Sequence, residues 1–284
     1  MTRTIDYWWR LFGTALSFSV FGIGGLLISV CVFPIIYIIS LNSEKAKLRC
    51  QYVVHLAFRL FIFMMRSLGV ITYEIQGAEK LLAPSGRLIV ANHPSLIDIV
   101  FIISMLPHAL CVVKRAAWMN PFMAGVMWST GYIANDEPET LIDACVAALR
   151  AGSALVIFPE GTRTVPGRPI KLKRGAALII VKSGRAFTPV TITSEPTTLT
   201  KAEKWYHIPY KRVHFRITIR DAVNPPPRIV ASESLSQSSR GVSRLLRDVL
   251  VTGITQHDES GRGAKNTSHQ DPELGRRSSR RHRP

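Results

Sequence analysis

The sequence predicts an α/β fold: a single domain with a mainly parallel sheet flanked by helices, preceded by N-terminal membrane helices. Three observations predict it. Short apolar runs without polar alternation, such as Leu88–Ala91 and Ala154–Phe158, suit strands buried on both faces. Segments of helical period lie between them, and strands alternating with helices build parallel sheets. Ahead of all of these, Leu11 to Ser43 carries no charged residue, ~33 residues against the roughly 20 that cross a bilayer.

That first run is too long for a signal-peptide core, and no Ala-x-Ala-type cleavage site follows it. Pro34 and the cluster Gly22, Gly24 and Gly25 can kink it, which leaves a single tilted span and a re-entrant hairpin both open. Trp8 and Trp9 beside Arg10 read as an interfacial anchor. Lys45, Lys47 and Arg49 after the run outnumber Arg3 and Arg10 before it. If the run spans the cell inner membrane, this bias places the following domain in the cytoplasm.

A second helix is expected over Gln51 to Leu68, where Val54, Phe58, Phe61, Met65 and Leu68 recur at helical spacing. His55, Arg59 and Arg66 gather on another side. Such a helix can lie in the headgroup layer with its basic side toward anionic lipid, or pack on the following domain. Residues 1–70 thus form a membrane-associated part.

Residues 71–228 form the α/β domain, enough for one ordinary core. Its candidate strands are Val70–Glu74, Arg87–Val90, Cys111–Val113, Ala154–Phe158, Thr188–Thr193 and Val213–Arg220. Glu139–Ala151 reads as a helix with an apolar stripe of Leu141, Ala144, Cys145, Ala148 and Leu149, and Gly152 follows its end. Asn224-Pro-Pro-Pro-Arg228 closes the domain. Residues 229–257 form a C-terminal helical extension, with a helix over Ser238–Val251. Residues 258–284 are polar and basic and read as a disordered tail.

The formal net charge of +17 invites a nucleic-acid reading, but its distribution argues for lipid. Basic residues flank the apolar segments and crowd Arg276–Arg283, and no zinc-ligand spacing, helix-turn-helix or aromatic RNA-binding block occurs. Anionic membrane lipids are the expected partner, with no specific nucleic acid. Cys31, Cys50, Cys111 and Cys145 show no paired spacing and are expected reduced and buried. The histidines form no ligand set, so no metal site is expected; His207 and His214 read as solvent-facing.

Two segments carry chemistry. In Arg87-Leu-Ile-Val-Ala-Asn-His-Pro-Ser-Leu-Ile-Asp98, a strand-like run ends at Asn92-His-Pro94 and a helix-like run begins at Ser95. Residues five apart on one helix lie roughly 140° round the axis and cannot meet. His93 therefore belongs in the loop and Asp98 in the first helical turn, where its carboxylate can reach back to one imidazole nitrogen. That contact sets the tautomer and leaves the other nitrogen open to accept a proton. The same spacing also fits a capping box, with Asp98 serving the helix end and His93 an ordinary loop residue.

The second segment is Phe158-Pro-Glu-Gly-Thr-Arg163, which must turn sharply where the Ala154–Phe158 strand ends. Gly161 permits close backbone approach, and Arg163 offers a planar fork suited to phosphate or carboxylate. Both segments fall beyond the carboxyl ends of strands, where parallel sheets bind ligands.

Asn92-His-Pro-Ser-Leu-Ile-Asp98 resembles the His-x4-Asp block of the glycerolipid acyltransferases, the family of the bacterial 1-acyl-sn-glycerol-3-phosphate acyltransferases. Phe158 to Arg163 matches that family's second hallmark in full. Lys114 to Phe122, Lys173-Arg-Gly-Ala-Ala177 and Thr188-Pro-Val190 are similar to further blocks, in the family's order, over roughly residues 70–220. The resemblance implies a membrane-bound O-acyltransferase. His93 would be the general base, oriented by Asp98; Glu160, Gly161, Thr162 and Arg163 would bind the acceptor, with Lys171, Lys173 and Arg174 as further cations. It implies direct transfer from acyl-CoA or acyl carrier protein as co-substrate, with no cofactor, to a lysophospholipid acceptor. The leading acceptor is 1-acyl-glycerol-3-phosphate, giving phosphatidic acid. A lyso-ornithine lipid or a polyene-type lipid is an alternative acceptor, and a non-catalytic domain that binds lipid or carrier protein is another reading.

One block departs from the family. Where it usually closes with an arginine that helps hold the acceptor phosphate, this chain reads Gly131-Tyr-Ile-Ala-Asn-Asp-Glu137. Asp136 and Glu137 would repel a phosphate placed beside them.

Overall fold

In a computed structural model, residues 2–82, 86–165, 168–201, 203–230 and 234–267 are described. A seven-stranded sheet divides two layers of helix. Its strands are β1 (Ile71–Gln76), β2 (Leu88–Ala91), β3 (Leu110–Lys114), β4 (Ile133–Asn135), β5 (Leu155–Ile157), β6 (Phe187–Glu195) and β7 (Val213–Ile219), in the order β1-β7-β6-β2-β5-β3-β4. Every pairing is parallel except β6 with β7. β6, β2, β5, β3 and β4 therefore share one direction, and their carboxyl ends form one rim.

Six strands fall within a few residues of their expected limits: central runs such as β2 and β5 are buried on both faces, whereas β7 alternates buried and half-buried residues. β4 has no counterpart in the sequence reading. Its three residues are half-buried and lack an apolar run, so they are a strand only through pairing with β3.

The first layer holds the helices α1 (Thr2–Leu27), α2 (Phe33–Ile39), α3 (Ser43–Ser67), α4 (Asp98–Met105), α5 (Arg115–Trp118) and α6 (Ala124–Thr130). The second holds α7 (Pro138–Arg150), α8 (Arg174–Ser183), α9 (Pro227–Val230) and α10 (Leu235–Thr267). Alternate strand residues feed the two cores: Ile89 and Ala91 face the first layer, Leu88 and Val90 the second. On α7 the buried residues are Ile142, Cys145, Val146 and Leu149. The stripe is thus rotated from the expected one, and Ala144 is exposed, because the larger β-branched side chains take the core positions.

α10 continues through Thr267, past the helical limit expected at residue 257, as a helix nucleated by packed turns propagates into polar sequence. Val242, Leu246 and Leu250 join the second core, so this helix is a layer of the domain rather than an appendage. The remainder of the basic tail lies outside the described residues.

α1 and α2 form one near-continuous helix, joined by a π-helical turn at Ile28–Val32. Pro34 lies just beyond that turn; it supplies no N–H, and a π turn is one way to absorb the lost bond. The chain then reverses into α3. Thr4–Ile39 and Ser43–Ser67 are each long and apolar enough to cross a membrane. Both nevertheless lie along the domain. α3 packs on α4, and His55 is buried, with Nδ1 2.9 Å from the Ile103 carbonyl oxygen, whereas the sequence had grouped it with the exposed Arg59 and Arg66.

α1 is amphipathic in the inverted sense. Arg10, Thr14 and Ser17 point inward while Ile5, Trp8, Phe12, Leu16 and Ile23 are exposed. Arg10 is 3% exposed and donates to the carbonyls of Pro209 and Tyr210 at 2.8 and 2.7 Å. It is therefore a clasp, not part of the interfacial anchor expected beside Trp8 and Trp9. Its delocalised charge can be buried because three acceptors meet it, Asp6 being the third.

Candidate active site

β2 ends at Ala91, and Asn92 extends its pairing by side chain. Asn92 Nδ2 donates to the Ile192 carbonyl at 2.8 Å, and Ile192 N donates to Asn92 Oδ1 at 2.7 Å. The strand direction is thus held one residue further, and the chain then turns through His93 and Pro94. α4 begins at Asp98, three residues later than the helix-like run at Ser95. His93 lies in the loop and Asp98 in the first helical turn, as the spacing required.

His93 Nδ1 is 2.9 Å from Asp98 Oδ2. A carboxylate oxygen accepts, so Nδ1 carries the proton and Nε2 presents its lone pair. Half of the capping-box geometry is present: the Ser95 N–H donates to the same Oδ2 at 2.7 Å, while Ser95 Oγ has no hydrogen-bond partner. One oxygen therefore serves both the helix end and the imidazole. Asp98 is fully buried, its Oδ1 has no hydrogen-bond partner, and burial pushes its carboxyl up to about 6, partly offset by His93 and the Ser95 N–H. His93 keeps 18% of its side chain exposed, so the pair is open to solution only on the histidine side.

The Phe158–Arg163 turn wraps around this histidine. The Phe158 ring stacks on the imidazole, with centroids 4.2 Å apart. Glu160 Oε1 accepts from the His93 backbone N–H at 2.9 Å, and its Oε2 accepts from Thr164 Oγ1 at 2.7 Å. The Thr164 N–H in turn donates to the His93 carbonyl at 2.7 Å. Glu160 is 7% exposed, and each of its oxygens accepts a hydrogen bond from this loop system, so it braces the histidine loop.

Gly161 adopts φ +65°, and a Cβ there would meet the Lys173 side chain at 2.9 Å, so glycine is what lets Lys173 lie across the turn. Thr162 and Arg163 are half-buried in the same turn. Arg163 donates one guanidinium N–H to the Leu199 carbonyl at 2.7 Å, an oxygen that also receives the Leu96 N–H. Leu199 itself has φ +53°, unusual for a non-glycine residue, so this junction is strained and over-determined. Lys171 and Arg174 are exposed, and among the described residues no hydrogen bond ties Arg174 to the others.

The sequence reading missed Asn92, Phe158, Thr164 and Leu199 as parts of this site. Phe158 and Thr164 bound the motif itself and were open to notice; Asn92 and Leu199 act through partners far along the chain. Asp136 is ion-paired to Arg115 at 3.0 Å, so its charge is already met. Among the described residues no group of three or more histidine, cysteine or acidic side chains is placed to hold a metal. Cys111 and Cys145 are buried, with burial pushing the Cys145 thiol up to about 12, and Cys31 is exposed, contrary to the expectation of burial.

A histidine whose Nδ1 is held by a buried carboxylate, at the strand-end rim of a parallel sheet, makes a general-base site in an α/β domain. A family model described as acyltransferase matches residues 72–193. The 1-acyl-sn-glycerol-3-phosphate acyltransferase of Helicobacter pylori is 34% identical over 113 residues, 37% of this chain and 48% of that protein. The ovine 1-acyl-sn-glycerol-3-phosphate acyltransferase alpha is 24% identical over 186 residues, 63% of this chain and 62% of that one. The chain thus spans less than two thirds of the length of these relatives. The crystal structure of the 1-acyl-sn-glycerophosphate (LPA) acyltransferase PlsC from Thermotoga maritima superposes with a TM-score of 0.61 at 18% identity, covering 90% of this chain and 98% of that one, which is a likeness of fold. Residues 72–193 thus carry an acyltransferase domain similar to that of the glycerolipid acyltransferases.

Proposed function

We propose that the protein is a membrane-bound O-acyltransferase that moves a fatty acyl group from acyl-CoA or acyl carrier protein to the free hydroxyl of a lysophospholipid. The leading acceptor is 1-acyl-glycerol-3-phosphate, with phosphatidic acid as product. The observation that carries this reading is the orientation of His93. With Nδ1–H engaged by Asp98, Nε2 is the open base at the rim. It takes the proton of the acceptor hydroxyl as that oxygen bonds to the thioester carbonyl carbon. The C–S bond then breaks, and the departing thiolate takes the proton back from His93. No nucleophile of the enzyme enters the balance.

Lys173 across Gly161 and the partly engaged Arg163 are the cations nearest the turn, and they suit an acceptor phosphate. Glu137 remains beside that rim as an exposed acid, and it favours an acceptor with less negative charge as the second candidate. An apolar cavity of about 540 Å³ between α1, α3 and α6, lined by Phe21, Phe58, Phe61, Met64 and Met127 among others, suits a fatty chain.

The helix pair supports membrane attachment by one face. Arg10 and Tyr37, about 40 Å apart along the helix, both bond to the domain, so α1 and α2 lie along it rather than away from it. The exposed apolar side of α1 then faces acyl chains in the plane of the membrane. Attachment to the cytoplasmic face of the inner membrane fits a soluble thioester donor.

The test supplies labelled acyl-CoA or acyl carrier protein, with a panel of lysolipids, to membranes carrying wild type or His93→Ala. Conversion of lysophosphatidic acid by wild type alone is the expected result. His93-dependent acylation of another acceptor keeps the mechanism and changes the substrate. Equal conversion by the variant removes the assignment.

A further inference from the structure

At the turn between α2 and α3 an open groove of about 430 Å³ combines Lys45, Arg49 and His108 with Tyr52, Ile36 and Leu48. No acidic residue lines it among the described residues. The nearest acid on α3, Glu44, is spent on Lys47 at 2.8 Å, and Lys47 itself lies against Gly131. Arg49 is oriented by a 2.9 Å hydrogen bond to Ser40 Oγ. His108 Nδ1 is 3.2 Å from the Leu48 carbonyl oxygen, which can only accept, so that nitrogen is the donor and Nε2 is the ring's other polar atom. The Tyr52 ring lies between His55 and His108, with centroids 5.9 and 6.0 Å away, and fixes the imidazole's place.

The groove stands at the opposite end of the sheet from His93. His108 precedes the amino end of β3, whereas His93 follows the carboxyl end of β2, and β3 and β2 run the same way through β5. It is therefore separate from the acceptor site. Its apolar floor continues into Ile38, Ile39 and Leu41, which are exposed at the same turn.

We propose that this groove seats the phosphate headgroup of an anionic membrane phospholipid, with the first part of its acyl chains on Ile36, Leu48 and the exposed turn. Two cations and an imidazole gathered over an apolar floor suit a ligand that is anionic at one end and apolar at the other. A free anion would leave the floor unused, and a zwitterionic headgroup would leave the cations uncompensated. The groove would tether the far edge of the domain and set its tilt on an anionic bilayer. The proposal rests on the membrane-face reading above and is independent of which acyl transfer the enzyme performs.

Vesicle flotation of the full chain tests it without any activity assay. Phosphatidylcholine vesicles are compared with the same vesicles carrying phosphatidylglycerol. Wild type should partition about tenfold or more in favour of the anionic vesicles, given roughly 1 kcal/mol for each cation near such a surface. Lys45→Gln/Arg49→Gln/His108→Gln should lose most of that preference while still floating with neutral vesicles. Arg240→Gln/Arg244→Gln/Arg247→Gln, which removes charge from exposed positions on α10 in the other layer, should keep it. The charge-preserving Lys45→Arg/Arg49→Lys should keep it too, and single Lys45→Gln should show a graded loss if the triple variant melts early. Equal losses in the groove and α10 variants would mean diffuse attraction and overturn the site. So would full displacement by inorganic phosphate. A groove variant unchanged on vesicles but unable to bind an acidic carrier protein would replace the lipid with a protein. A protein that fails to float with any vesicle would instead remove the membrane-face reading beneath it.

Discussion

Glu160 accepts the backbone N–H of His93 at 2.9 Å although 67 residues of chain separate them. The relationship makes the Phe158–Arg163 turn a holder of the His93 loop. With the Thr164 N–H donating to the His93 carbonyl, the residue is bonded at both its N–H and its carbonyl. A base that must sit within hydrogen-bond reach of a reacting hydroxyl gains rate from that restraint.

Glu160→Ala is therefore expected to lower kcat by about 100-fold while KM for the acceptor changes less than about threefold. An acceptor-binding carboxylate would show the reverse split. Steady-state kinetics on purified protein distinguishes the two, and Glu160→Gln, which keeps an acceptor oxygen for the His93 N–H, should recover part of the loss.

Asp98 sets opposite demands on activity and stability. A buried carboxyl raised from 3.8 to about 6 binds more protons folded than unfolded between those values, so stability falls as pH rises through that window. Asp98→Asn should remove the cost and raise stability at pH 8 by on the order of 2 kcal/mol, while acyl transfer drops at least about 100-fold. In wild type, transfer should decline as pH falls through about 6, when Asp98 takes a proton and holds the imidazole less firmly. Denaturant melts and rates measured across that range check both signs. A destabilised variant would mean that the hydrogen bonds outweigh burial.

Asn92 carries no chemistry, yet its two buried bonds to Ile192 prolong the β2–β6 pairing to the base of the histidine loop. Asn92→Ala should cost about 2–4 kcal/mol through two orphaned backbone groups and lower the melting temperature by several degrees. An unchanged melt would show that solvent replaces both bonds.

Arg10 closes the N-terminal helix on the domain. Arg10→Met keeps much of the side-chain bulk and leaves the Pro209 and Tyr210 carbonyls unpaired. The expected outcome is faster proteolytic cleavage in the 205–212 segment with little change in the thermal midpoint of the sheet. Cleavage at the wild-type rate would place the helix's hold elsewhere.

Glu137→Arg restores the cation that the family carries near this position. It should lower KM for lysophosphatidic acid by roughly 3- to 10-fold, the effect of about 1 kcal/mol at a partly exposed site. No change would mean that Lys173 and Arg163 already satisfy the phosphate.

Much of this protein was legible along the chain. Leu88–Ala91 and Ala154–Phe158 could be read as strands because a continuous apolar run has few other places to go. His93 could be assigned to a loop and Asp98 to a helix start because helical geometry forbids their meeting otherwise. Those are short-range constraints, carried by neighbours in sequence. β4, the inward turn of His55, the burial of Arg10 and the Asp136–Arg115 pair could not be read in the same way. Each depends on which distant surface arrives opposite. The sequence by itself determined every strand but β4, the loop and helix-start positions of His93 and Asp98, and the resemblance to acyltransferases. Only the tertiary structure decided that Glu160 holds His93, that the apolar helices lie along the domain, and that Lys45, Arg49 and His108 share a groove. Hydrogen bonds and charges between remote segments are chosen by packing, and packing is settled by the whole core at once.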